Sequence, residues 1–372
     1  MSKILEKLLL KRIKPVIDEL SLLPNHQFAF RNKHSTIEQV HRIANFINDD
    51  FENKNYCSTV FLDITQAFDK VWHHGLLYKI KKMLPYNIFL TWKMYFQVKI
   101  GESTTRLYEI ASGVPQGSVL GPMLYLLYTA DLPQTKLTKI ATFADDTTIM
   151  ASDRDPVIAS RRLQEHLIKI EEWLSKWRIK ANESKSVHVT FTLNKETCPP
   201  VSLNGKPIPQ NNSAKYLGVH LDRRLTWRDH IWNKRKQLSL RLRKMYWLTG
   251  PNSKLSLENK MLVYNSCLKP VWTYGAQIWG STSISNINIL ERFQNKILRL
   301  MVGAPWFVPN KYILNDCSCD SVKDSIKKQS VQYLSRLKCH PNILAKSLLK
   351  NKDGSKRRLK RVNMLKLTNR FN

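Results

Sequence analysis

The sequence is short of acidic residues for the number of basic ones it carries: 29 Asp and Glu stand against 60 Lys and Arg, a formal net charge of +31 over 372 residues. The basic residues recur along the whole chain and do not form one tail. A merely soluble surface seldom needs so large an excess of one sign, and the field favours a polyanionic partner, of which nucleic acid is the usual one. A basic ribosomal or structural protein fits the same balance. Either way, binding is expected to weaken steeply as salt is added.

A disulfide framework is also missing. The six cysteines, at 57, 198, 267, 317, 319 and 339, have no regular spacing, which points to a reducing compartment. Cys317, Cys319, Cys339 and His340 invite a zinc reading, although C-x-C followed much later by C-H is not a standard finger spacing. No apolar run is long enough to span a bilayer: the longest, around "VLGPMLYLLYTADL", is broken by Gly121 and Pro122. The start, "MSKILEKLLLKRIKPVIDEL", threads charges through its apolar residues and has no small-residue cleavage site, so no signal peptide and no membrane association are expected. No internal repeat or long low-complexity tract stands out. The expectation is a soluble intracellular protein of two or three compact units, its 42% hydrophobic residues sufficient for a substantial core.

What is present is a mixture of helical and extended patterns. Ile4, Leu5, Leu8, Leu9, Ile13 and Ile17 fall near helical spacing and predict an amphipathic helix that ends before "LLPNHQ". A second helix is expected from Ser35 or Thr36, with Glu38 placed for a capping box. "STVFLDI", from Ser58 to Ile64, is apolar and β-branched, as a strand buried on both faces would be. Helices are expected over Leu76 to Met83 and Asn87 to Phe96, then a strand pair near Val98 to Ile100 and Thr104 to Ile110. "KIATFADDTTIMAS" divides into strand, two-residue turn and strand, with the aspartates at or beside the turn. Leu163, Leu167, Ile170 and Leu174 mark another amphipathic helix, and "VHVTF" another strand. Asn204 and Gly205 signal a type I′ hairpin. Beyond Trp227 come long basic helices, and the change in character near residues 210 to 230 is the clearest domain boundary.

Asp63, ending one apolar strand, and Asp145 with Asp146, at the tip of a hairpin, can be neighbours in one sheet. Three close carboxylates repel one another unless protonated or neutralised, and hard oxygen donors suit Mg²⁺. Two such ions about 3.5 to 4 Å apart serve an in-line phosphoryl displacement, the solution of polynucleotide polymerases. A two-metal nuclease uses the same parts. An Asp-Asp pair in a tight turn also satisfies turn chemistry alone; the apolar strands around it and the basic chain favour the catalytic reading. In "GVPQGSVLGP", Pro115 and Gly117 allow a tight turn, and the helix that follows is expected to aim its N-terminal N–H groups at a ligand in that turn. A helix start that needs Pro and Gly for geometry alone reads the same way.

"VFLDITQAFDKVWHHGLL", "SGVPQGSVLGPMLYLLYTADLP", "TFADDTTIM", "WRIKANESKSVHVTF" and "KYLGVHLDRRLTW" occur in that order. Together they resemble the successive palm motifs of reverse transcriptases from non-long-terminal-repeat retrotransposons, most of all the jockey-type elements of insects. "HQFAFRNKHSTIEQV" upstream and "LKPVWTYGAQIWG", "QNKILRLMVGAPWFVPN", "CHPNILAKSLL" and "RRLKR" downstream extend the likeness over nearly the whole chain.

The resemblance implies an α+β right-hand polymerase: partial fingers over 1–57, a palm with an antiparallel sheet packed on helices over 58–210, a primer grip and helical thumb over 211–304, and a helical basic C-terminal region over 305–372. It implies that Asp63 and Asp145 bind two Mg²⁺ ions, with Mn²⁺ as a substitute, that Asp146 completes the acidic triad and that Ile64 adds its backbone carbonyl. Phe68 matches the aromatic gate that excludes a 2′-hydroxyl, where a plain core phenylalanine is the alternative. Gln116 and Gly117 reach the nucleotide or template. Lys185 is placed to protonate departing pyrophosphate, although a solvated lysine in a polar turn looks the same. His73 and His74 are read as packing residues. Tyr216, Leu217 and Gly218 form the primer-grip hairpin, and Trp232, Arg235, Lys236, Arg241, Arg243, Lys244 and Trp247 the duplex-facing thumb.

The activity implied is RNA-directed DNA polymerisation, a nucleotidyl transfer on an RNA template, a DNA primer and deoxynucleoside triphosphates. The resemblance further implies a nuclear and cytoplasmic ribonucleoprotein. Family members carry a lysine and an arginine that grip the triphosphate, and an endonuclease domain, before the point matched by Met1. An N-terminally truncated chain that only binds nucleic acid is therefore the alternative to an active enzyme.

Overall fold

The computed structural model describes residues 2–85, 95–96, 99–100, 103–104, 106, 108–109, 112–115, 117–349 and 367. Residues 87–94 of the helix expected over Asn87 to Phe96, the Gln116 side chain and the basic run "KDGSKRRLKR" lie outside them; the last two residues of that expected helix, Tyr95–Phe96, are instead a strand, because they pair with Tyr108–Glu109. Of the strand pair expected near 98–110, Lys99–Ile100 pairs with Ser103–Thr104, and Tyr95–Phe96 with Tyr108–Glu109. The chain divides into two compact units. One comprises Met1–Gln39, Asn55–Thr190 and Asn194–Asn211; the other comprises Val40–Lys54, Phe191–Leu193 and Asn212–Asn372.

The first unit opens with helix α1 (Ser2–Glu19), which buries Ile13 and Ile17. Helix α2 (Thr36–Glu52), which belongs to this unit up to Gln39 and to the other from Val40 on, begins where the sequence signals it: the Ser35 hydroxyl bonds the Glu38 carboxylate and accepts the Ile37 N–H at 3.3 Å. Strand β1 (Tyr56–Leu62) is buried at all seven positions. That is the consequence of its unbroken apolar and β-branched run, which leaves no polar face for water. Helix α3 (His73–Met83) is pinned from inside by Lys79, which is 3% exposed. The Lys79 ammonium pairs with Asp131 at 2.5 Å, donates to the Tyr128 carbonyl and lies 3.6 Å over the Trp177 ring. Burial still lowers its pKa to about 8, against the pull of Asp131.

Helix α4 (Gly121–Tyr128) carries no charge, and seven of its eight residues are buried. The Gly121–Pro122 step that breaks the apolar run in sequence is the first turn of this helix, where proline costs no hydrogen bond. Strands β2 (Thr138–Phe143) and β3 (Asp146–Asp153) form the hairpin expected from the pattern. With β4 (Val187–Phe191) they complete a sheet in the order β2-β3-β1-β4. Helix α5 (Pro156–Lys176) starts on Asp155, whose carboxylate accepts the Val157 N–H at 2.7 Å. Its buried stripe of Leu163, Leu167, Ile170 and Leu174 packs in one core with β1, β3 and α4. Asn204 (φ 52°) and Gly205 (φ 72°) join β5 (Ser202–Leu203) to β6 (Lys206–Pro207), the paired left-handed residues of a type I′ turn.

In the second unit, β7 (Ser213–Tyr216) and β8 (Val219–Asp222) form another hairpin, with Leu217 (φ 45°) and Gly218 (φ 78°) at its tip. The Asp222 carboxylate accepts the Thr226 and Trp227 N–H groups at 2.8 Å each, shaping the entry to helix α6 (Arg228–Lys244). Trp227, Trp272, Trp279 and Tyr264 are fully buried and dominate this core. Helix α7 (Ile284–Val302) packs on α6, and α8 (Val322–Lys338) packs on α7. Cys317 and Cys319 are buried while Cys339 is exposed, and the His340 Nδ1 accepts the Asn342 N–H. No metal-holding group of three forms among the described residues, so the zinc reading finds no support. Among those residues no helix is long and apolar enough to cross a membrane.

Candidate active site

Asp63 is the first residue beyond β1. Leu62 lies opposite Thr147, so carrying the register one step further sets Asp63 beside Asp146, while Asp146 also faces Phe143 across the hairpin. Ala144 and Asp145 are the two turn residues, and Ala144 has φ +56°. The three carboxylates therefore share one end of the sheet. Burial, and next the charge of Asp63, raise the pKa of Asp145 above the usual carboxylate range. Asp146 keeps solvent access yet is also pushed up, by desolvation and by the charges of Asp145 and Asp63.

The chemistry of this donor set fits divalent metal. Hard oxygens carry more negative charge than they can comfortably hold without a cation. The three acids do not close into a finished three-donor cage among the described residues. Above them the Tyr125 hydroxyl is buried with no hydrogen-bond partner among those residues. Burial and the charges of Asp145 and Asp146 keep that phenol protonated.

Asp63 is held by a turn that reads in sequence as polar filler. Its carbonyl accepts the Asn182 N–H at 2.8 Å, and its N–H donates to the Ser186 hydroxyl at 3.1 Å. Ser186, fully buried, passes its own proton to the Asn182 carbonyl at 2.7 Å. Thr65 donates to Lys180, so the pairing uses the groups of Asp63 and Thr65. The Ile64 carbonyl therefore points to the opposite side. Lys185 belongs to this same turn; its N–H donates to Asn182 Oδ1 at 3.2 Å and its side chain is exposed.

The hairpin tip is held from the other side by "HQF". The Phe28 N–H donates to the Thr142 carbonyl at 3.1 Å and the Thr142 N–H to the His26 carbonyl at 3.2 Å, and Gln39 donates to the carbonyls of both His26 (3.0 Å) and Thr142 (2.8 Å). Gln27, 3% exposed, accepts the Ala144 N–H at 3.0 Å.

Phe68 is half-buried and stacks on Tyr125, ring centroids 4.7 Å apart, with the edge of Phe30 6.4 Å away. Its carbonyl accepts the Val114 N–H at 2.8 Å, which ties the segment after β1 to the "PQG" turn. Gly113 (φ +86°) is held by Val71 and by the His73 ring, whose Nε2 donates to the Gly113 carbonyl at 2.5 Å; His73 is thus a packing residue, as expected. Gly117 (φ +82°) is exposed with open space where a side chain would be. One expectation is corrected here. The N–H groups before α4 do not point at an open ligand position: Val119 and Leu120 donate to the Glu6 carboxylate at 2.6 and 3.2 Å, and the Gly121 N–H to the Ser118 hydroxyl at 3.1 Å. The anion at this helix start comes from α1.

Tyr216, Leu217 and Gly218 belong to the second unit. The strained tip of their hairpin is pinned by Tyr274, whose hydroxyl donates to the Leu217 carbonyl at 2.7 Å and whose ring would meet any Cβ at Gly218. Glu6, Gln27, Asn182, Ser186 and Tyr274 escape a motif-based reading, because each acts on backbone far from it in sequence.

Residues 1–221 match the family model described as reverse transcriptase (RNA-dependent DNA polymerase). The chain belongs to the reverse transcriptase family. It is 43% identical over 370 residues to a probable RNA-directed DNA polymerase from transposon X-element, and 39% identical over 381 residues to the RNA-directed DNA polymerase from mobile element jockey, both of Drosophila melanogaster. A probable RNA-directed DNA polymerase from transposon BS of the same organism is 38% identical over 382 residues. These alignments cover 97%, 97% and 98% of this chain but 40%, 42% and 42% of the relatives, so this reverse transcriptase chain spans about two fifths of their length. A solved telomerase structure from Candida tropicalis, in complex with a telomeric RNA fragment, aligns at TM-score 0.41 and 14% identity, over 90% of this chain and 56% of that one. The fold is that of a right-hand polymerase, with the acids at the end of its antiparallel sheet.

Proposed function

We propose that this chain is the polymerase portion of a retrotransposon protein that copies RNA into DNA by nucleotidyl transfer. The observation that carries the reading is the meeting of Asp63 with the Ala144–Asp146 turn at one sheet end, in a chain whose residues 1–221 match the reverse transcriptase model. Asp63, Asp145 and the Ile64 carbonyl hold two divalent ions, Mg²⁺ or in its place Mn²⁺, and Asp146 keeps the cluster negative enough to retain them. When bound, such ions lower the barrier to in-line attack at a phosphoryl group.

The chain's own residues do the rest. The Phe68 ring, fixed against Tyr125, lies under the sugar of the incoming deoxynucleoside triphosphate and leaves no room for a 2′-hydroxyl. Gly117 admits close approach of the nucleotide or template to the backbone, with Gln116 beside it. Lys185, exposed on the turn that anchors Asp63, delivers a proton to the departing pyrophosphate. Tyr216, Leu217 and Gly218 grip the primer end, with the tip rigid because Tyr274 holds it.

The template is RNA and the primer DNA. Residues 1–57, 58–210, 211–304 and 305–372 serve as partial fingers, palm, grip with thumb, and basic extension, and the complex acts as a nuclear and cytoplasmic ribonucleoprotein. Primer extension on an RNA template with Mg²⁺, run beside Asp145→Asn, tests the reading. Incorporation by the parent and none by the variant supports it; duplex binding without incorporation by either leaves only a nucleic-acid-binding remnant.

A further inference from the structure

Phe30 is a bulky residue in a backbone conformation that bulky residues avoid. Its φ of +54° lies in the left-handed region, and its side chain is 51% exposed. The backbone around it is braced. The Ala29 N–H donates to Gln27 Oε1 at 3.0 Å, and the Arg31 guanidinium donates to the carbonyls of Pro24 and Gln27 at 3.1 and 3.3 Å. Phe28 and Ala29, just before it, are fully buried. The bend thus holds strain while it turns one ring out of the core, and strain of this kind clusters at functional sites.

The ring turned out meets Phe68. Their planes are perpendicular with centroids 6.4 Å apart, while Tyr125 lies nearly parallel to Phe68, 28° between the planes and 4.7 Å between centroids. Both are favourable aromatic geometries, and they limit different freedoms. A stacked face limits the tilt of the Phe68 ring; a perpendicular edge limits its sideways swing. Backbone bonds fix only where that side chain begins: the Asp69 and Lys70 N–H groups both donate to the Gln66 carbonyl at 3.0 Å. Where the ring ends is left to its neighbours. Tyr125 is 1% exposed in the apolar helix α4, and its hydroxyl has no hydrogen-bond partner among the described residues, so ring packing holds it. Phe30 stands at the surface, on the same bend from which Gln27 holds the Ala144 turn.

We infer that Tyr125 and Phe30 are positioning residues for sugar selection, acting through Phe68, whose ring they hold in the plane and place that exclude a 2′-hydroxyl. The inference rests on the reading of Phe68 as the gate under the sugar. Without either support the ring tips or swings away, and the space it vacates admits the extra oxygen.

The test measures equilibrium binding of a deoxynucleoside and a ribonucleoside triphosphate by the full chain on an RNA template with a 3′-dideoxy DNA primer, where no bond can form. The readout is the ratio of the two affinities. General damage to the fold lowers both affinities together; a displaced gate changes their ratio. Phe30→Ala and Tyr125→Leu are each expected to lower the preference for the deoxynucleotide roughly twofold to tenfold, the worth of one aromatic contact. Tyr125→Phe returns the ring and should restore the parental ratio, with stability no lower than the parent's, because it removes a buried hydroxyl that has no partner. In a Phe68→Ala background neither substitution should change the ratio further, since no ring is left to position. A parental ratio in Phe30→Ala or in Tyr125→Leu overturns the inference, as does a further fall in the Phe68→Ala background. A parent that binds the two nucleotides alike has no gate and overturns it too. A parent that discriminates in binding yet incorporates nothing contradicts the proposed function, while the ratios still decide the inference.

Discussion

Gln27 and Ala144 exchange two hydrogen bonds: the Ala144 N–H donates to Gln27 Oε1 at 3.0 Å, and Gln27 Nε2 donates back to the Ala144 carbonyl at 3.4 Å. Ala144 needs this support, because its φ of +56° lies in the left-handed region, which costs a residue with a Cβ about 1–2 kcal/mol. A turn bent this way sets the direction of the next residue, Asp145. Gln27→Leu keeps the volume and removes both bonds, leaving the Ala144 amide without its partner. We expect a loss of about 1–3 kcal/mol in denaturant unfolding and a fall in kcat larger than any rise in KM, since the acids are misaimed and the substrate contacts are not. Adding Ala144→Gly should recover part of the stability by removing the strain. An unchanged unfolding midpoint in Gln27→Leu would show that the carboxamide is not what holds the turn.

Glu6 governs the other turn of the site. Its Oε2 accepts from the Ser118 hydroxyl and the Val119 N–H, both at 2.6 Å. These bonds, the Ser118 one first, lower the Glu6 pKa, so the carboxylate stays ionised at neutral pH. Glu6→Ala should loosen the turn that carries Gly117 and raise KM for deoxynucleotide severalfold, with stability falling by about 1 kcal/mol or less because the carboxylate is partly in water. Steady-state kinetics at fixed template–primer would show this; an unchanged KM would separate Glu6 from the nucleotide site.

Much of this architecture is legible in the residues. The unbroken apolar run of β1, the leucine stripe of α5 and the Asn204–Gly205 dipeptide each leave the chain one economical local structure, and each forms it. The "ADD" hairpin follows for the same reason. What pattern does not contain is long-range register and satisfaction of buried polar groups. Nothing local says that Leu62 falls opposite Thr147, and it is that pairing which brings Asp63 to Asp146. Gln27, Asn182 and Ser186 look like loop residues, because their partners are backbone atoms far away in sequence. The free N–H groups expected before α4 are a general property of helix starts, but whether a ligand or a distant side chain answers them is decided only by tertiary structure.

Buried histidines set the acid limit of the fold. His188 accepts from Gln210 at Nδ1 and so donates from Nε2 to the Ser58 hydroxyl at 2.8 Å, an arrangement that needs the neutral ring. Burial lowers the pKa of His188 and of His41 to about 4, and that of His230 to about 3. An unfolded histidine takes its proton near pH 6.5. Between that pH and about 4 the unfolded chain binds protons that the folded chain refuses, so stability falls as pH falls through this window. Chemical unfolding at a series of pH values should show the decline, and His188→Gln should flatten it by up to one proton's worth, about 1.4 kcal/mol per pH unit. A parent profile that is level from pH 6.5 to 4.5 would contradict the assignment.

If Asp63 and Asp145 serve one reaction, each is useless without the other, and their removal cannot be additive. The deciding measurement is single-turnover incorporation of one deoxynucleotide on an RNA template by the parent, Asp63→Asn, Asp145→Asn and the double variant. The expected result is a loss on the order of a thousandfold or more in each single variant and no further loss in the double. Single variants within about tenfold of the parent, or a double variant whose losses multiply, would contradict a shared site.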